Sequence, residues 1–167
     1  MERDIEEALR VSPDYSSAFT SEVERLTERT RQAVAHPVEH VEDMNYSSSQ
    51  QLVIGLDALG TAVRSLATTS ATKVVAYVSS RGKFFTVLVF EAKENPRVAK
   101  EWIRLGSDEE VRRVGASEVV RALSSLLEAE GYRKLSGPML WDLAPDHVTE
   151  MDGAPATVFD VLFSEII

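Results

Sequence analysis

Chemistry needs side chains of the right type at fixed spacings, and four stretches of this chain offer them. His36-Pro37-Val38-Glu39-His40 matches H-x-x-E-H, in which two histidines one helical turn apart bind zinc and the glutamate activates water. That geometry requires a helix, and Pro37 admits one only if the helix begins there. No pattern marks a further carboxylate ligand, so solvent-exposed loop histidines are the preferred reading. Glu91-Ala92-Lys93 fits the E-x-K of magnesium-dependent nucleases, where the acid holds the metal and the lysine steadies the attacking water. The neighbouring run, 73–80, supplies none of the aspartate such a site needs. Ser79-Ser80-Arg81-Gly82-Lys83 carries a Gly-Lys pair, but it lacks the first glycine of a phosphate loop and has Phe84 in place of the hydroxyl residue.

The fourth stretch runs from Trp141 to Gly153. It holds Asp142, Asp146, Glu150 and Asp152 together with His147, at spacings that fit no calcium loop. Trp141 and Met139 beside these acids suggest recognition rather than catalysis. An aromatic anchor ringed by carboxylates suits a basic protein surface, the ring supplying area and the acids steering. The competing reading makes Trp141 a core residue covering a sheet. No serine, histidine and aspartate arrangement has a nucleophile-elbow context, and the absence of cysteine excludes thiol catalysis, disulfides and cysteine zinc sites. No catalytic residue, metal ligand or cofactor is therefore assigned.

The elements that must position these residues centre on 73–91. Two runs rich in β-branched and aromatic residues flank a polar segment with Gly82, the signal for a β-hairpin. Its second run, Phe84 to Phe90, is interrupted only by Thr86 and belongs inside a sheet. The hairpin tip then presents Arg81 and Lys83. Before it, Glu2 to Arg10 predicts a short helix stopping at Ser12-Pro13, and Ser16 or Ser17 caps a longer one to about Ala35 with Phe19, Val23, Leu26, Thr30 and Ala33 as its stripe. The stretch from His36 to Ser49 reads as a loop. A further helix is expected from Ser47–Ser49 to about Ala67, with Leu52, Val53, Leu56, Leu59, Val63 and Leu66 buried, within the protomer or across a homodimer.

After the hairpin, 98–105 fits a strand and 111–114 a second strand or a helical turn. Ser117 caps the clearest helix, with Val119, Val120, Leu123, Leu126 and Leu127 as its stripe and Gly131 at its end. Strands are expected at 132–136 and from Thr157 to Ile166, separated by a long loop from Ser136 to Pro155. The expected fold is α+β: a mostly antiparallel sheet of about five strands (73–80, 84–92, 98–105, 132–136 and 156–165), with N-terminal helices and the Ser117 helix on one side. One domain of 167 residues is expected, helical over 1–67 and sheet plus helix over 68–167.

Composition narrows the function classes. The net charge is −9, which disfavours nucleic acid as a partner because phosphates are held by clustered lysine and arginine. The charge is uneven: residues 51–100 carry three acids and seven bases. No apolar run approaches a membrane span, and the acidic start after Met1 is unlike a signal peptide, so a cytoplasmic protein without membrane contact is expected. The leading expectation is a non-enzymatic module, inhibitor-like, immunity-like or chaperone-like, that binds another protein, with Trp141, Asp142, Asp146, Glu150 and Asp152 suited to a basic surface and Arg81 and Lys83 to acidic groups. A small-ligand sensor is the alternative, and a metal-dependent hydrolase built on either histidine cluster the third.

Overall fold

Alternating β-branched and aromatic residues between Lys73 and Phe90 bury side chains on both faces of one hairpin, and the rest of the protein is arranged around it. The computed structural model describes residues 1–42, 47–56, 71–95, 98–149 and 152–164. Five strands follow one another as an antiparallel meander: β1 (Val38–Val41), β2 (Ser49–Gly55), β3 (Thr72–Ser79), β4 (Phe84–Asn95) and β5 (Val98–Leu105). A two-residue strand, β6 (Arg133–Lys134), adds in parallel to the start of β4. The fold is α+β, with a six-stranded, mostly antiparallel sheet and a separate small hairpin.

One face of the sheet, carrying Leu52, Ile54, Val74, Ala76, Val78, Phe85 and Val89, is buried under α2 (Ser17–Ala33) and α4 (Ser117–Ala129). The Ser16 hydroxyl accepts from the Phe19 N–H at 3.3 Å, the expected cap of α2. Helix α4 begins at Ser117 itself, after an Ala116 N-cap, and ends at Gly131 with φ +83°, a conformation glycine adopts without a side-chain clash. The short helix α3 (Asp108–Arg113) is closed by a reciprocal capping box between Ser107 and Glu110.

The opposite face has a separate cluster at one end. There α1 (Arg3–Leu9), a 3-10 helix (Gly137–Trp141) and α5 (Val158–Phe163) enclose Phe84 with Ile5, Leu135, Leu140, Val161 and Phe163. Helix α1 thus lies across the sheet from α2. Tyr77 meets Phe159 edge-on here at 5.5 Å, and burial pushes the Tyr77 phenol up to about 12.

Several expectations are corrected. The helices do not share one side of the sheet: α1 packs in the cluster on the face opposite α2, because Ile5, Ala8 and Leu9 bury against Phe84. Residues 49–55 form β2, not the start of a helix: Leu52 and Ile54 face one cluster while Val53 faces another with Val75. With both faces covered, the apolar run shows no period of two that would distinguish it from a helix; its remainder, 57–67, lies outside the described residues. The 36–49 loop contains β1, paired with β2 from Val38↔Ile54 to Val41↔Gln51. The expected last strand is instead helix α5, started by a capping box in which Thr157 accepts from the Asp160 N–H and Asp160 accepts from the Thr157 N–H. Within the expected long loop 136–155, β7 (Leu143–Val148) pairs with β8 (Pro155–Thr157). Among the described residues no helix is long and apolar enough to cross a membrane.

Candidate partner-binding surface

The hairpin tip holds its two cations differently. Arg81 is only 7 % exposed. Its Nη1 donates to the carbonyls of Leu9 (3.3 Å) and Val11 (2.6 Å), and its Nε to Ser48 Oγ (3.4 Å). It therefore ties the tip to the end of α1 instead of being presented to solvent, and its burial holds the guanidinium below the usual arginine range. Lys83 is more open, but its ammonium bonds Glu22 of α2 and lies 4.3 Å over the Tyr132 ring. Tyr132 Oη donates to Glu22 Oε1 at 2.9 Å. The Lys83 hydrogen bond, above all, holds the Glu22 carboxyl below its ordinary range, and burial raises the Tyr132 phenol above the usual tyrosine range. Both tip cations thus have partners within the fold.

The histidine motif does not assemble. In β1, Glu39 and His40 project to opposite faces of the strand, so the one-turn spacing of H-x-x-E-H is lost. His40 Nε2 lies 2.8 Å from Gln50 Oε1, and the Gln50 amide donates to Thr20. Glu91 is bound by Arg113 through two contacts of 2.8 and 3.1 Å, which keep its carboxyl low. Among the described residues no three metal-ligating side chains converge.

The segment from Trp141 onward has more exposed character. Trp141 is 41 % exposed, with the Phe159 ring 5.2 Å away and the Arg104 guanidinium 4.0 Å from its centroid. Half in and half out, it serves both the core and the surface. Leu143 and Val148 on β7 are 62 % and 53 % exposed. Asp142 and Asp146 lie exposed among them, Asp146 with φ +64°. Asp152 accepts from the Thr149 hydroxyl and the Ala154 N–H, and the Thr149 contact holds its carboxyl low. Glu150 lies outside the described residues. The sequence reading missed Leu143 and Val148, because apolar residues in a presumed loop give no periodic signal. It also missed a cleft beside Trp141, lined by Thr86, Arg104, Val111, Val120 and Lys134, whose residues come from six elements. The chain matches no protein-family model, and no characterised protein or solved structure is significantly similar to it.

Proposed function

We propose that the protein is a non-enzymatic binding module for another protein that presents a basic surface, with the Trp141–Val148 segment as its docking surface. One observation carries this reading: Trp141, Leu143 and Val148, three of the most exposed large apolar side chains among the described residues, fall within eight positions and are interspersed with the exposed Asp142 and Asp146. Apolar patches rimmed by polar residues mark interaction sites. Carboxylates around an aromatic anchor favour a cationic partner by steering and by pairing at the rim, in keeping with a net charge of −9. Arg81 is removed from the surface by its burial, and Lys83 is taken up by Glu22.

The test compares the protein with its Leu143→Asp, Val148→Asp double variant, both immobilised and exposed to the same cell lysate. These side chains are largely solvated, so the variant should keep the wild-type circular dichroism and melting temperature. The wild type should retain a defined set of basic proteins that elute at about 0.5 M salt, where the screening length falls to a few ångströms, and the folded variant should not. Equal retention by both would remove this surface from consideration.

A further inference from the structure

Strand β4 has two successive neighbours on one edge, and between them the edge is open. Strand β6 pairs with Phe84 and Phe85, and β5 takes over at Val89, opposite Leu105. The Phe85 carbonyl accepts from the Leu135 N–H at 2.8 Å. Alternate residues of β4 therefore turn their main-chain groups to this edge, and Val87 is the next in line. Its N–H and C=O face an interval with no registered strand partner among the described residues. A cleft of about 420 Å³ occupies this interval, within the roughly 300–1,000 Å³ of small-molecule sites.

Two features fit this cleft to a polar ligand. Thr86, on its wall, is 1 % exposed, and its Oγ1 is the one buried side-chain polar atom without a hydrogen-bond partner among the described residues. A buried hydroxyl left without its bond is destabilising, and a ligand group that completes the bond removes that penalty. Arg104 stacks on Trp141 and makes no ion pair among the described residues, whereas Arg25, Arg29, Arg113 and Arg133 are all matched with carboxylates. A guanidinium held over an aromatic ring without a carboxylate partner keeps N–H donors for a bidentate acceptor. Thr86 and Arg104 share one face of the sheet, since Phe90, two residues along from Leu88 and four from Thr86, pairs with Arg104. Val87, Val111 and Val120 belong to the apolar cluster on the other face.

We propose that this cleft binds the unit –CO–NH–CHR–COO⁻ with an apolar R, as carried by the carboxyl end of a peptide or by a free N-acyl amino acid. The ligand N–H donates to the Val87 carbonyl, and one carboxylate oxygen accepts from the Val87 N–H, the two-bond exchange of a single strand residue. Arg104 and the Thr86 hydroxyl donate to the carboxylate on one face, and R lies toward Val111 and Val120 on the other. The cleft adjoins the docking surface proposed above and shares Trp141 with it, but neither Leu143 nor Val148 lines it. The Leu143→Asp, Val148→Asp variant therefore tests that surface while leaving the residues of this site in place.

The test is amide-resolved NMR titration of the full chain with N-acetyl-leucine, with the peptide acetyl-Gly-Gly-Leu as free acid, and with the same peptide as C-terminal amide. At least one acid should bind saturably with the Val87 amide shifting, and the amide form should bind about tenfold more weakly, the loss of a charge-assisted contact. Saturation by the peptide alone assigns the site to peptide termini, and by N-acetyl-leucine alone to a free metabolite. Arg104→Met should weaken binding about tenfold, and Arg113→Met, which removes the pair with Glu91, should leave it unchanged. Thr86→Val, which deletes the orphaned hydroxyl at constant shape, should fold at least as stably as the wild type and bind more weakly. No saturable shift with either acid up to about 10 mM, equal affinity for acid and amide, or full binding by Arg104→Met would each overturn the proposal.

Discussion

Arg81 Nη1 donates to the carbonyl oxygen of Val11 at 2.6 Å, joining the tip of the central hairpin to the chain just beyond α1. The same nitrogen reaches the carbonyl of Leu9, the last residue of that helix, which also lies 3.1 Å from His147 Nε2. A cation at a helix C-terminus completes carbonyls that have no partner within the helix. Replacing Arg81 with Met leaves these buried acceptors short of a donor and should lower the unfolding free energy by about 2–4 kcal/mol. Lys83→Met, at a largely solvated pair, should cost about 0–1 kcal/mol. Urea denaturation of the two variants reads the difference, and equal effects would show that Arg81 contributes no more than a surface charge.

Glu22 ties acid stability to the packing of α2. Its folded-state pKa lies below its ordinary value of 4.5, chiefly through the Lys83 hydrogen bond. A depressed carboxyl contributes stability that is fully present above the unfolded pKa and is lost as pH falls through the folded one. The stability gap between wild type and Glu22→Gln should therefore be constant near neutrality and narrow below about pH 4.5. Urea midpoints measured from pH 7 to pH 3 check this, and a gap that widens toward pH 3 contradicts it.

Tyr77 governs the alkaline side. Burial raises its phenol from 10.0 to about 12, so the unfolded chain ionises first. Its contribution is then complete below pH 10 and declines as pH rises toward 12. Ultraviolet difference titration should show two late-titrating phenols, Tyr77 and Tyr132, of which Tyr77→Phe retains one, and the variant should lose less stability over that interval.

Thr157 decides the conformation of the C-terminal segment. It caps α5 by accepting from the Asp160 N–H at 3.3 Å. Thr157→Ala should cost about 1 kcal/mol, and Thr157→Asp or Thr157→Ser should recover most of it. Thermal melts of the three variants test the order; a stabilising alanine would argue against a helix here.

How much of this could be read from residues alone differs by element. The hairpin 72–95 was legible because branched and aromatic residues flank a polar tip with glycine, all within local range. Helix α2 was legible from Phe19, Val23 and Leu26 at steps of three and four behind Ser16, and α4 from its stripe ending at Gly131. Ser49–Gly55 was misread because Leu52, Val53, Ile54 and Leu56 satisfy a helical spacing as well as a strand buried on both faces. In the Thr157 segment the alternation of Phe159, Val161 and Phe163 concealed a T-x-x-D cap.

Amino-acid order by itself determined an α+β protein, acidic and without cysteine, built on one apolar hairpin, because period and composition act over a few neighbouring residues. Only the tertiary structure decided which charges were already matched. Arg81 and Lys83 read alike as exposed cations of a tip, yet one is buried on carbonyls of residues 9 and 11 and the other is paired with Glu22. The open edge at Val87 arises because β5 and β6, some thirty residues apart in the chain, stop short of each other on the same strand. Such a gap depends on register between distant segments, and local pattern carries no information about it.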